Sequence, residues 1–185
     1  MDFKTVLFLL LGVLLGSACS RSISSSATDY SYDIEARIQK IGITLKSPEP
    51  IKGANIVRAV RTGNLLFLSG KGPTMDNGKN IIGKVGQDLD TQAGYDAARQ
   101  VAINQLSILQ SELGDLNRVV RVVKVFGMVN ASPDFTEHSL VINGFSDLMV
   151  ELFGERGKHA RAAVGMNSLP GNIAVEVDMI VEFRD

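Results

Sequence analysis

The sequence predicts an α+β domain in which two long helices cover one face of a mixed β-sheet. Three observations carry that prediction. Two stretches, Thr91–Leu113 and one in which Leu140, Phe145, Leu148, Met149, Leu152 and Phe153 recur, hold apolar residues at helical spacing over several turns. Short β-branched or alternating runs surround them in the order ββ, α, β, α, ββ, preceded by a small helix. Beyond residue 32 the chain keeps roughly 150 residues, one domain's worth, enough to bury a core without covalent staples.

The elements follow in order. Residues 1–19 have the form of an export signal: Lys4, an apolar run Val6–Leu15 relieved only by Gly12, then the small residues Gly16-Ser17-Ala18. The run is shorter than the roughly 20 residues that span a bilayer, so a cleaved signal is expected and not a lasting membrane helix. Leu15-Gly16-Ser17-Ala18-Cys19 resembles a bacterial lipobox, with Gly16 where leucine is usual. The expectation is an exported protein of the cell envelope, facing the periplasm and held to a membrane by a lipid anchor on Cys19. Simple secretion after cleavage at Ala18 is the alternative. Cys19 is the only cysteine, which excludes an internal disulfide framework and a cysteine-cluster metal site. Ser20–Tyr32 is serine-rich and aperiodic, a tether, and residues 33–185 form the domain.

Asp33–Ile41 carries Ile34, Ile38 and Ile41 at helical spacing, stopped by Gly42. Pro48 and Pro50 impose an extended link. Ile56–Val60 and Leu65–Ser69, joined by Arg61-Thr62-Gly63-Asn64, predict a β-hairpin, and the Gly- and Asn-rich Lys71–Gly83 a surface loop. Asp90 or Thr91 caps the first long helix, and Gly114 ends it. Arg118–Val129 is β-branched enough for a mostly buried strand. Ser132-Pro133-Asp134 begins the second long helix, which closes at Gly154. Ala160–Val164 and Ala174–Phe183 are the last strands, predicted as a hairpin-like unit around Leu169-Pro170-Gly171. In the final one, an edge strand on this reading, Val175, Val177, Met179, Val181 and Phe183 face inward, opposite Glu176, Asp178 and Glu182. No element remains to cover the other sheet face, so an oligomer is expected there.

Composition narrows the function. A net charge of −1, no tryptophan and few aromatics exclude the basic stripe and stacking rings of a nucleic-acid surface. His138 and His159 are the only histidines and lack metal-ligand spacing, no nucleophile elbow accompanies any Ser-His-Asp set, and Gly70-Lys71-Gly72 is too short for a phosphate loop. No metal and no cofactor is expected.

Gly63-Asn64-Leu65-Leu66-Phe67-Leu68-Ser69-Gly70-Lys71-Gly72-Pro73, Asn143-Gly144-Phe145-Ser146-Asp147-Leu148, the Gly-Lys-His-Ala-Arg unit at 157–161 and Leu169-Pro170 together resemble the YjgF/RidA family, also labelled endoribonuclease L-PSP. The resemblance runs from about Asp33 to Arg184. It implies a chorismate-mutase-like fold, a homotrimer with clefts between subunits, and hydrolysis of reactive enamines and imines such as 2-aminoacrylate to a 2-keto acid and ammonia.

Carried over residue by residue, the resemblance makes Arg161 the clamp for the substrate carboxylate, a role its planar, permanently charged fork suits. Glu176, fifteen residues further on, matches the family's acid, which orients or deprotonates the attacking water. Asp178 shares its face and competes for that role. Ser69 and Gly70 are expected beside the substrate, and Asn143 along the cleft. Two positions depart from the family's well-studied deaminases: Ala163 stands where they carry cysteine, and Ile56 where they carry tyrosine. The alternative to an imine deaminase is a non-catalytic trimeric module that captures small carboxylates in the same clefts; a structural surface protein is a third reading.

Overall fold

The computed structural model describes residues 33–49 and 55–185; the export signal, Cys19 and the tether lie outside the described residues. Helix α1 (Ile34–Lys40) is short, capped by the Asp33 side chain, which accepts the Ala36 N–H at 3.2 Å. Ile34 and Ile38 bury its inner face.

Strands β1 (Ala59–Thr62) and β2 (Leu65–Lys71) form the expected hairpin, later and tighter than the sequence suggested. Pairing runs from Ala59↔Leu68 to Thr62↔Leu65, so the turn is Gly63-Asn64 alone. Gly63 makes this possible at φ +55°, which a residue with a Cβ seldom adopts. Helix α2 (Thr91–Leu113) has the predicted bounds: Asp90 accepts the Ala93 N–H at 2.7 Å, and Gly114 stops the helix at φ +76°. Strand β3 (Val119–Asn130) follows.

Helix α3 (His138–Phe153) begins later than expected. Ser132-Pro133-Asp134 makes a turn, closed by the Phe135 N–H on the Ser132 carbonyl at 3.1 Å. The chain is still extended up to Ser132, because Ala131 forms a parallel bridge with Val85, whose N–H bonds the Asn130 carbonyl at 2.8 Å and whose carbonyl accepts the Ser132 N–H at 2.9 Å.

Strands β4 (Ala160–Met166) and β5 (Val175–Phe183) complete one sheet of order β1-β2-β5-β3-β4, with only β3 and β4 parallel. Two expectations are corrected here. β4 and β5 are not a hairpin, because β3 lies between them and pairs with both. β5 is a central strand and not an edge: the β-branched β3 and the apolar β2 both find ladder partners on it.

Helices α2 and α3 cover one face, as predicted, and the core lies between them and the sheet. The alternate residues Val175, Val177, Met179, Val181 and Phe183 are all buried there. Helix α3 is fixed by two glycines. A Cβ on Gly144 would fall 2.0 Å from the Tyr95 carbonyl oxygen of α2, and one on Gly127 of β3 would fall 2.6 Å from Ile142. The α2 backbone therefore meets α3 directly at Gly144, and the Ile142 side chain of α3 seats on the bare β3 backbone at Gly127, which together set the height of α3 over the sheet and the direction of its polar residues. Among the described residues no helix is long and apolar enough to cross a membrane.

Candidate functional site

Two polar groupings emerge, one on each face of the sheet. The first is built on β4 and α3. Arg161 pairs in register with Val125, a buried residue of β3, so its side chain rises on the helix-covered face. Its Nη1 donates to Asn143 Oδ1 and to Ser146 Oγ, both at 2.9 Å, and Nη2 reaches the Ser139 carbonyl at 3.4 Å. Asn143 and Ser146 stand one helical turn apart on α3, so they present adjacent acceptors. A guanidinium carries five donors; among the described residues those left over meet no acceptor, and they suit a carboxylate.

His159 extends this network. Its Nδ1 lies 2.6 Å from the Gly157 carbonyl and its Nε2 3.0 Å from Ser146 Oγ. A carbonyl only accepts, so Nδ1 carries the hydrogen and Nε2 accepts from the Ser146 hydroxyl, whose oxygen in turn accepts from Arg161. Burial pushes the imidazole pKa below its ordinary value, against the Gly157 hydrogen bond and with help from the Arg161 charge, so His159 stays neutral. The chain of bonds fixes the rotamer of Ser146 and through it the plane of the guanidinium.

The second grouping lies on the open face. Between Leu68↔Met179 and Lys71↔Val177, β2 has one residue more than β5, a bulge at Ser69-Gly70. The carbonyls that the bulge takes out of the ladder are met from beneath by α2: buried Gln105 donates Nε2 to Ser69 O at 3.0 Å and to Val177 O at 2.8 Å. Above the bulge lies the Glu176 carboxylate. A Cβ on Gly70 would sit 2.2 Å from Glu176 Oε1, so only glycine leaves room for it. The Ser69 hydroxyl donates to the Val57 carbonyl at 2.7 Å and lines a shallow pocket with Asn55, Ile56 and Val57. Burial first, and then the neighbouring Asp178, raise the Glu176 pKa above the ordinary carboxylate value. Burial also raises Asp178, partly offset by Lys124. A raised carboxylate is a better base once ionised.

The sequence candidates thus fall into two sets. Ser69, Gly70 and Glu176 come together, as do Arg161 and Asn143, but the two sets stay apart. Glu176 pairs with Met128, itself opposite Val164, so Glu176 is on the open face and two strands from β4. That is roughly 10 Å across the ladder, with the sheet between. Ala163 packs against the core beneath α3, and Ile56 is exposed beside Ser69. Sequence reasoning assigns no role to Ser146 or His159 and misses Gln105. The helical spacing of Asn143 and Ser146 was the available signal for the first; nothing local signals a glutamine that serves a bulge on another strand.

A family model described as "YjgF/chorismate_mutase-like, putative endoribonuclease" matches residues 35–183, and the chain belongs to that family. Protein TCP17 of Trypanosoma cruzi is 44% identical over 153 residues, covering 82% of this chain and 95% of that protein. The crystal structure of Atu1372 of Agrobacterium tumefaciens, a protein of unknown function, is 44% identical with a TM-score of 0.76, covering 83% of this chain and 94% of that one. That of an endoribonuclease-like protein from Shewanella oneidensis is 29% identical with a TM-score of 0.78, covering 82% and 100%.

Proposed function

We propose that the protein is a RidA-like hydrolase of reactive enamine and imine acids, working in clefts between the subunits of a homotrimer. The observation that carries this reading is the division of the site. Arg161, with guanidinium donors to spare, stands on the helix-covered face of an edge strand, and Glu176 stands over Gly70 on the open face. In one copy they share no cavity; an Arg161 from one subunit and a Glu176 from the next complete a site. The open face supports such an assembly, since Val60 and Phe67, paired across β1 and β2 and continued by Ile180 on β5, form an apolar row with Val60 55% and Phe67 40% exposed.

In this site Arg161 grips the substrate carboxylate through two N–H groups and holds the adjacent C=N carbon toward a water. Glu176 takes a proton from that water as its oxygen bonds to carbon, and the nitrogen is protonated. The carbinolamine then collapses: the hydroxyl proton leaves, C–N breaks, ammonia departs and a 2-keto acid remains. Imine and water go in, keto acid and ammonia come out, without redox change. Neither a metal nor a cofactor enters the scheme.

The deciding experiment generates 2-iminopropanoate enzymatically and follows its decay with wild type and Arg161→Ala. Decay above the spontaneous rate, lost in the variant, is expected. Decay no faster than buffer, with 2-keto acids bound saturably and Arg161 required for binding, would replace the enzyme by a carboxylate-binding module. Packing of partly buried Ala163 against the core and exposure of Ile56, where the deaminases carry cysteine and tyrosine, favour that second reading. For location, we propose a periplasm-facing lipoprotein anchored at Cys19; the mass of the mature N-terminus, with or without acyl chains, tests it.

A further inference from the structure

Away from both groupings, on the helix side of β2, the structure contains a cavity of about 340 Å³. Its walls are the extended segment after α1, the outer face of α2 and the start of the loop after β2. Two cations enter it from below. Lys71, beyond the bulge, is in register with buried Val177 and so points toward α2, while Arg58 precedes β1. Among the described residues neither side chain has a hydrogen bond or an ion pair, although both are half-buried. Burial, and then the Arg58 charge, lower the Lys71 pKa.

The other charges at the cavity do not answer this pair. Lys46 and Asp76 neutralise each other at the rim, 2.8 Å apart, and Glu49 is exposed without a bridge to either cation. The wall is built rather than loose. Asn104 Nδ2 donates to the Gly72 and Thr74 carbonyls, each at 3.0 Å, and Gln100 Nε2 donates to Thr74 O at 3.0 Å. These bonds tie the loop to α2 and keep the cavity open between them.

Two half-buried like charges without an acid destabilise a fold unless something else answers them. We propose that this cavity is a binding site for a small dianion, a phosphate monoester or a dicarboxylic acid. Arg58 takes one face of the anion as a fork and Lys71 supplies a point charge. The cavity volume falls at the lower end of small-molecule sites, which matches a compact ligand.

Calorimetric titration of the purified protein with inorganic phosphate and with succinate, at low and at high salt, tests this. Saturable binding of either probe is expected, one per chain, weakened by salt and on the order of tenfold or more by Lys71→Met and by Arg58→Gln. Arg161→Ala should leave it unchanged, since Arg161 belongs to the separate imine site. Lys71→Met should also raise the melting temperature, because an uncompensated cation is removed. The proposal is overturned if neither probe binds, if binding survives both cavity substitutions, or if Arg161→Ala abolishes it. A lower melting temperature in Lys71→Met would likewise overturn it, by making the lysine structural.

Discussion

Gly70→Ala is the sharpest perturbation of the proposed chemistry. The glycine is not in the left-handed region, so alanine is compatible with its backbone, and loss of chain freedom in the unfolded state favours the variant by about 0.4–1 kcal/mol. The new methyl would stand 2.2 Å from Glu176 Oε1. A carbon–oxygen contact relaxes at about 3.3 Å, so the carboxylate must retreat by about 1 Å. It can do so, being the end of a flexible side chain, and the fold should survive. A catalytic group displaced by that distance costs on the order of 100-fold in rate, about 2.7 kcal/mol of barrier. The assay is imine decay at several substrate concentrations, with a thermal melt as control. The loss should fall on kcat, with carboxylate affinity kept because Arg161 lies on the other face. A folded Gly70→Ala enzyme within about twofold of wild type would refute the role given to Glu176, the threshold being small beside the loss argued above.

Other predictions test the supports. Gln105→Leu keeps the volume but orphans the carbonyls of Ser69 and Val177, and should cost about 1–3 kcal/mol in denaturant titration. The gain from removing the partnerless Gln105 Oε1 keeps the net loss toward the lower value. Gly144→Ala would drive α3 from the Tyr95 backbone, costing about 1–3 kcal/mol and loosening Arg161 with it, read as a lower melting temperature and a raised KM. The folded His159 pKa lies below its ordinary 6.5, so between those values the unfolded chain binds the proton that the folded one refuses. Stability is therefore complete above 6.5 and falls as pH drops through that window; His159→Gln should flatten this slope in melts taken across it. Phe67→Glu, placing a charge in the apolar row, should shift sedimentation from the proposed trimer toward monomer.

Most of the fold was legible because its signals are local. α2 was read with both ends, since Asp90 and Gly114 are caps whose chemistry acts within one turn. The alternation in β5 named its buried residues correctly for the same reason. What failed depends on distant partners. The centrality of β5 and its separation from β4 are decided by β3, residues away in sequence, and the order of strands leaves no trace in the short stretch from Arg161 to Glu176. The start of α3 lies later than Pro133 implies because the chain up to Ser132 is held extended against Val85, a bridge no window around Pro133 contains. At the candidate site, spacing and resemblance name Arg161 and Glu176, and alternation puts Glu176 on the outward face, but nothing local puts Arg161 on the helix-covered one. A bulge at Ser69-Gly70 changes the face of everything after it, and bulges are settled by what lies beneath, here Gln105.

That Arg161, the proposed clamp, and Glu176, the proposed acid, stand on opposite sides of one sheet has a genetic corollary. Chains carrying Arg161→Ala and chains carrying Glu176→Gln should each be dead alone, yet revive one another when unfolded and reassembled together. Random mixing in equal amounts gives roughly a quarter of the clefts an intact pair, and hence about a quarter of wild-type turnover. A mutation at either residue would then be recessive in the test tube, while one that breaks the apolar row proposed to join the subunits would rescue nothing.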